Sequence, residues 1–311
     1  MIIELGIINS AWNLSIGIIE FVVIWCVLVF ITFVISNILI VILFAELCQY
    51  TDFKQVAHKN DSPKFFVTGD KHRNFDSLIK FCKKNKLRYN DTIVVLGDAG
   101  FNYYGDKRDD KLKAKISKIP VTLLCLHGNK ENRPQNIATY GTRTFCGGTV
   151  YYEPKYPNIF FAIDGEIYDF NGKKFMTIGG AHSVDKIRCI EEGLPFWDDE
   201  MPSNEVKNAV ENKLSDQGNM IYGLMTHTCP ISCLPTEMFV STRRLADQNN
   251  RKKRSKRSKH EEYPIDIDRS TEEWLETIKE KVDYSVWFCG HYHIDKLLGK
   301  VCMLSKFILP I

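Results

Sequence analysis

Val286-Trp287-Phe288-Cys289-Gly290-His291-Tyr292-His293 is an apolar run of strand length that stops at a glycine and then delivers two histidines one residue apart. In extended backbone, alternation sends both imidazoles to the same side of the chain, where they could serve two metal ions lying close together. A lone His-x-His is a weak signal. Here four earlier stretches repeat the design of an apolar run ending in metal-type ligands. Phe65–Thr68 runs into Gly69-Asp70-Lys71-His72, and Ile93–Leu96 into Gly97-Asp98. Leu123–Leu126 leads to Gly128-Asn129-Lys130-Glu131, and Leu224–Thr226 to His227.

Between these runs the period changes. Phe75, Leu78, Ile79 and Cys82 recur at helical spacing, and a charged helix is expected over 106–118, stopped by Pro120. Continuous apolar runs alternating with helices imply strands buried on both faces. After Arg143 the texture turns to a β-meander, with Asn171-Gly172 as a hairpin signal. A helix is expected from Ser203, and Ser270-Thr271-Glu272-Glu273 matches a capping box, with Trp274, Leu275 and Ile278 on the apolar face.

Residues 21–45 contain no charged side chain and, as a helix, would reach ~37 Å, enough to cross a ~30 Å hydrocarbon core with some tilt. The first Lys or Arg anywhere is Lys54, so the positive-inside rule places the carboxyl-terminal side in the cytoplasm. The expected organisation is a membrane segment over 1–45 with one transmembrane helix at about 21–45, a linker over 46–62 and a domain over 63–311. Residues 1–19 are apolar but short for a second span.

With 311 residues and 44% hydrophobic content the chain can bury a full-sized core. Its net charge of +3 is produced by the run RKKRSKRSK at 251–259, within a basic insertion at about 243–262, and the remainder is net acidic. The chain is therefore not uniformly basic and general nucleic-acid binding is not implied, although that run could touch anionic lipid or a nucleic acid. The ten cysteines have no regular spacing and read as free thiols. Cys229 and Cys233 lack partners at a zinc spacing. His127 and His182 read as hydrogen-bonded histidines near the site, and Trp197 to Glu200 as a loop.

Collected together, the strand-end residues are Asp70, His72, Asp98, Asn129, His227, His291 and His293. Residues beyond the carboxyl ends of strands in an α/β sheet converge on one crevice. Two carboxylates, an amide oxygen and four imidazoles form a mixed nitrogen and oxygen set suited to manganese, iron, zinc or nickel. They are too many for one ion and enough for two divalent ions if a carboxylate bridges. Two such ions lower the pKa of a shared water and hold phosphoryl oxygens.

The ordered motifs resemble the signature of the calcineurin-like metallophosphoesterases: D-x-H, G-D, G-N-H-D/E, H and G-H-x-H. The resemblance covers about residues 64–300 apart from the basic insertion, and GDAGFNYYGDKRD, GKKFMTIGGAHSVDK, THTCP and CGHYH are similar to a compact bacterial and phage subgroup. It implies a β-sandwich flanked by α-helices, here preceded by one transmembrane helix. It also implies that Asp70, His72 and His293 hold one ion, that Asn129, His227 and His291 hold another, and that Asp98 bridges them. The implied activity is hydrolysis of phosphomonoesters or phosphodiesters by a metal-bridged hydroxide, with manganese the first metal expected.

One position departs from the signature. The histidine that the family uses to protonate the leaving group is Lys130 here, a residue that could donate a proton or clamp a phosphate oxygen. Lys71 and Arg73 bracket His72 as further phosphate contacts. Two alternatives stay open: a catalytically weak, membrane-tethered protein that binds metal or nucleotide, and a nuclease guided by 251–259. No obligate protein partner is evident.

Overall fold

The computed structural model describes residues 62–236 and 267–311. The expected membrane segment, most of the linker and the basic insertion lie outside the described residues. Among the described residues no helix is long and apolar enough to cross a membrane.

Two sheets organise the domain. The first is built on β1 (Phe65–Thr68), β2 (Thr92–Val95), β3 (Thr122–Cys125) and β6 (Ile159–Ala162), which run parallel. β5 (Gly148–Tyr152), β4 (Gly141–Phe145) and β13 (Ile308–Pro310) close its edges antiparallel, giving the order β13-β1-β2-β3-β6-β5-β4. The second sheet has β8 (Lys173–Ile178), β9 (Met220–Thr226), β10 (Asp283–Cys289) and β12 (Val301–Met303) in parallel. β7 (Ile167–Phe170) and β11 (Lys296–Leu298) flank it, in the order β11-β12-β10-β9-β8-β7.

Side-chain alternation explains how the layers stack. Along β2, Ile93 and Val95 join a core that includes Phe75, Leu78 and Cys82, whereas Val94 joins Phe175, Met225 and Phe288 from the second sheet. β10 does the same from the other side: Trp287 and Cys289 face Trp274, Leu275 and Ile278, and Phe288 faces inward. Period-2 strands that are apolar at every position therefore feed two cores at once, which is why β1, β2 and β3 are buried throughout.

The outer cores are completed by helices. α1 (Asp76–Asn85) and α2 (Lys107–Ile116) cover the first sheet, with Leu78, Cys82 and Ile116 in its outer core. Two further helices cover the second sheet: α4 (Asn204–Asp216) through Val210 and Leu214, and α5 (Ser270–Lys281) through Trp274, Leu275 and Ile278. A short α3 (Lys186–Glu191) lies between β8 and α4. Each fully buried large aliphatic or aromatic side chain contributes roughly 1.5–3 kcal/mol. The result is a mixed α/β fold of two facing sheets with helices outside.

Two expectations change at this level. The segments after Arg143 do not form one meander, because β4, β5 and β6 belong to the first sheet and the β7–β8 hairpin to the second. The Asn171-Gly172 turn itself is as expected, both residues having positive φ (56° and 84°). The capping box does not form either. Arg269 occupies the cap position without a side-chain bond, and Ser270 is already helical, its N–H donating to Asp268 Oδ1 at 2.9 Å. The helix starts one residue earlier than the motif requires, and Glu272 in its first turn is buried. The helix expected from Ser203 is α4, and Ser203 caps it, accepting from the Val206 N–H at 3.3 Å. All eight described cysteines are free.

Candidate metal centre

Each motif follows the carboxyl end of a parallel strand, and both sheets present those ends at the same edge of the sandwich. Asp70 and His72 follow β1, Asp98 follows β2, Asn129 follows β3, His227 follows β9, and His291 and His293 follow β10. All seven converge.

They fall into two groups. Asp70 Oδ2 lies 3.3 Å from His293 Nε2 and 3.6 Å from His72 Nε2, and those two ring nitrogens are 2.7 Å apart. In the second group Asn129 Oδ1 lies 2.8 Å from His227 Nε2 and 3.1 Å from His291 Nδ1. Asp98 Oδ2 stands between the groups, 3.8 Å from His72 Nε2 and 3.9 Å from His227 Nε2.

The donor and acceptor inventory tests whether cations fit. His227 Nδ1 is 2.7 Å from the Leu96 carbonyl, an oxygen that can only accept, so Nδ1 bears a proton and, in the neutral ring that a metal ligand requires, Nε2 carries a lone pair. That lone pair faces Asn129 Oδ1, another acceptor, while Asn129 Nδ2 donates to Ser183 Oγ at 2.7 Å. Two acceptors turned toward each other in this way fit a cation between them, and a carbonyl behind a ligating histidine is its usual outer partner. In the first group Asp70 Oδ2 is buried with no hydrogen bond of its own. Both groups therefore fit divalent ions, and two residue sets have ligand-compatible spacing, Asp70 with His72 and His293 within the first group, and Asp70 with Asp98 and His227 across the two.

Electrostatics without an ion report the same crowding. Burial would raise the Asp70 carboxyl, but the His293 imidazole, the His227 charge and the His291 N–H together take it below the usual range. Asp98 is pushed up by burial and by the Asp70 charge, only partly offset by His227 and His72. Burial and the neighbouring His227 hold His291 down at about 3, a neutral ligand form.

Glycine precedes four of the seven side chains, and at two of these positions the steric reason is plain. A Cβ at Gly128 would sit 2.0 Å from Asp98 Oδ1, and one at Gly290 would sit 2.3 Å from Asp70 Oδ1. The backbone itself must approach the carboxylates. His72, Asp98, His291 and His293 also adopt positive φ (40°, 47°, 67° and 54°), a region that costs a non-glycine residue about 1–3 kcal/mol and clusters at functional sites. This corrects the expectation of extended backbone at His291 and His293. β10 ends at Cys289, and the left-handed turn sends His291 to the Asn129 group and His293 to the Asp70 group.

The basic candidates are engaged elsewhere. Lys71 is buried, its Nζ donating to the Ser305 carbonyl at 3.2 Å, and burial holds its ammonium below the usual range. Arg73 donates to Asp109 Oδ1 at 2.5 Å and to the Gly100 carbonyl at 2.7 Å. Lys130 Nζ pairs with Asp185, while its backbone N–H donates to Asp98 Oδ1 at 2.7 Å. His127 is buried, with Nε2 3.0 Å from the Glu131 carbonyl oxygen. His182 lies 3.6 Å from Glu200 and makes no hydrogen bond through Nδ1. Trp197 meets Tyr103 edge-on at 5.9 Å.

Three supporting residues carry no assignment from the motifs. Ser183 orients Asn129. Glu131, fully buried, accepts from the Ala99 and Gly100 N–H groups just after Asp98, and burial followed by the Asp98 charge pushes its carboxyl up to about 8. Glu272 meets Thr228 and Tyr292, the neighbours of three ligands. Glu131 lies inside a quoted motif, whereas Ser183 and Glu272 sit far from any ligand in sequence.

Residues 63–295 match the calcineurin-like phosphoesterase family, and the chain belongs to that family. Membership supports metal-dependent phosphoesterase chemistry, and the family typically binds two divalent metals. No curated protein matches the chain. Among solved structures, one crystal structure is 14% identical and covers 78% of this chain and 89% of its own, with a TM-score of 0.42. The crystal structure of TT1561 of Thermus thermophilus is 10% identical over 78% of this chain and 88% of that one, with a TM-score of 0.39. AQ665 from Aquifex aeolicus, a protein of unknown function, is 11% identical over 54% of this chain and 81% of that one, with a TM-score of 0.28. At these identities nothing about substrate passes from them to this chain.

Proposed function

We propose that the chain is a membrane-anchored phosphoesterase with two cation sites, one held by Asp70, His72 and His293, the other by Asn129, His227 and His291, with Asp98 shared. The observation that carries this reading is the convergence of all seven side chains, above all His227 Nε2 facing Asn129 Oδ1 at 2.8 Å while its Nδ1 donates to the Leu96 carbonyl. Bound divalent ions, manganese first, would supply an activated water and neutralise the phosphoryl oxygens.

The chain's own residues do the rest. Ser183 and the Leu96 carbonyl fix the orientation of Asn129 and His227. Asp98 is aimed by the Lys130 N–H. His72 and His293 stay accessible at the mouth, with side chains 42% and 55% exposed, so a phosphate ester approaches from their side. Lys130, tied to Asp185, is not free to hand a proton to the leaving group, and hydrolysis is therefore faster for esters with good leaving groups. The uncharged stretch 21–45 anchors the domain on the cytoplasmic face.

The test uses the full chain in detergent with Mn²⁺, on aryl phosphomonoesters and aryl phosphodiesters. Turnover of at least one class, lost in Asp98→Asn, is the expected result. Metal binding with no turnover of either class would leave a tethered sensor in place of an enzyme. Extraction of the full chain from membranes by alkaline carbonate would overturn the anchor without touching the chemistry.

A further inference from the structure

Both histidine-bearing loops of the second sheet are tied to one carboxylate that is not itself among the ligands. Glu272 lies in the first turn of α5 and is 3% exposed. Its Oε1 accepts from Thr228 Oγ1 at 2.7 Å and from the Tyr292 hydroxyl at 3.2 Å, and those two hydroxyls are 2.9 Å apart. Thr228 follows His227 directly, and Tyr292 separates His291 from His293. A single oxygen thus gathers the residues adjoining three of the seven metal-type side chains.

The loop it holds needs holding. His291 and His293 both have left-handed φ, and the Tyr292 N–H bonds back to the Gly290 carbonyl at 2.8 Å, so the chain is coiled tightly there. Strained backbone persists where surrounding contacts over-determine it. The Tyr292 hydroxyl, pinned to Glu272 and Thr228, is such a contact. On the other side, the Thr226 hydroxyl donates to the Thr228 carbonyl and accepts from Trp287 Nε1 at 2.8 Å, tying the end of β9 to β10.

Glu272 in turn stands on a rigid support. Leu275 and Ile278 are buried in the outer core, Trp274 Nε1 donates to Glu211 at 2.9 Å, and Glu276 receives the Ser232 N–H at 3.0 Å. Glu272 and Glu276 share a face of α5 at i, i+4 spacing. The first reaches the ligand loops, and the second reaches only the segment beyond them.

We infer that Glu272 is a positioning residue for the metal centre, fixing His227, His291 and His293 through Thr228 and Tyr292. The inference rests on the two-cation reading above. Outer partners that orient ligands typically govern metal affinity by about 10–100-fold, and a carboxylate accepting two hydroxyls is a strong form of such a partner.

The experiment is calorimetric titration of the full chain with Mn²⁺, run beside thermal melting without metal. Glu272→Ala is expected to weaken Mn²⁺ binding by about 10–100-fold, and Tyr292→Phe to weaken it in the same direction by less. Glu272→Gln, which keeps an acceptor oxygen, is expected to restore most of the affinity. Glu276→Ala is expected to lower the melting midpoint while leaving Mn²⁺ affinity at the wild-type value. Equal Mn²⁺ affinity in Glu272→Ala and wild type would overturn the inference and leave the two-cation reading standing. An equal loss in Glu276→Ala would overturn it too, since helix docking alone would then explain the effect. Absence of Mn²⁺ binding in the wild-type chain would instead remove the reading beneath it, and the inference with it.

Discussion

The two halves of the ligand set differ in how far they are withdrawn from water. Asn129 and His227 are 5% and 0% exposed, whereas the side chains of His72 and His293 are 42% and 55% exposed. The inner half is braced directly by Leu96 and Ser183, whereas Glu272 reaches both halves, through Thr228 and through Tyr292. In a drier setting each ligand–ion attraction is less screened. An inner ion should therefore be held tightly, and an outer ion should exchange and meet the substrate first.

Removing an inner ligand is the largest blow to that contrast. His227→Ala leaves the Leu96 carbonyl without its N–H donor in the most buried part of the site, costing about 1–3 kcal/mol of stability. Mn²⁺-dependent turnover is expected to vanish at every metal concentration, as read by aryl ester assays beside a denaturation curve. Next in size is Gly128→Ala, whose methyl would fall 2.0 Å from Asp98 Oδ1 and push the shared carboxylate out of place. Overpacking of this kind costs about 1–3 kcal/mol, and a fall in metal content is expected alongside the lower melting point.

An outer ligand is expected to matter less. His293→Ala should reduce turnover at low Mn²⁺ and recover as Mn²⁺ is raised, a pattern that His227→Ala cannot show. A Mn²⁺ titration of both variants separates them, and identical behaviour would erase the inner and outer distinction. The smallest effect concerns the leaving group. Lys130→His breaks the pair with Asp185 and is expected to speed alkyl esters more than aryl esters, by up to about 10²-fold. A uniform change across leaving groups would show that position 130 acts on binding alone.

Much of this centre was legible in the polymer before any fold was known, and the reason is local. Strand ends are marked by where apolar runs stop, and all seven metal-type residues stand within a few positions of such a stop. The geometry beyond those stops was less legible. Alternation put His291 and His293 on one side of an extended strand, but the left-handed turn divides them between the two groups. Lys71 and Arg73 carried the right charge for phosphate, yet their partners Ser305 and Asp109 are brought in by folding. Glu272 went unnoticed beside a helix-capping pattern built on Ser270 and Glu273, because short-range rules see only their own helix. Its true partners, Thr228 and Tyr292, come from two other strand ends.

The most direct test is elemental analysis of the full chain, purified with Mn²⁺ and dialysed, beside His293→Ala and His227→Ala. Two Mn²⁺ per wild-type chain are expected, falling to one in His293→Ala, with the inner ion lost in His227→Ala. A wild-type chain that retains no transition metal, or variants that both keep the wild-type content, would contradict the two-group centre.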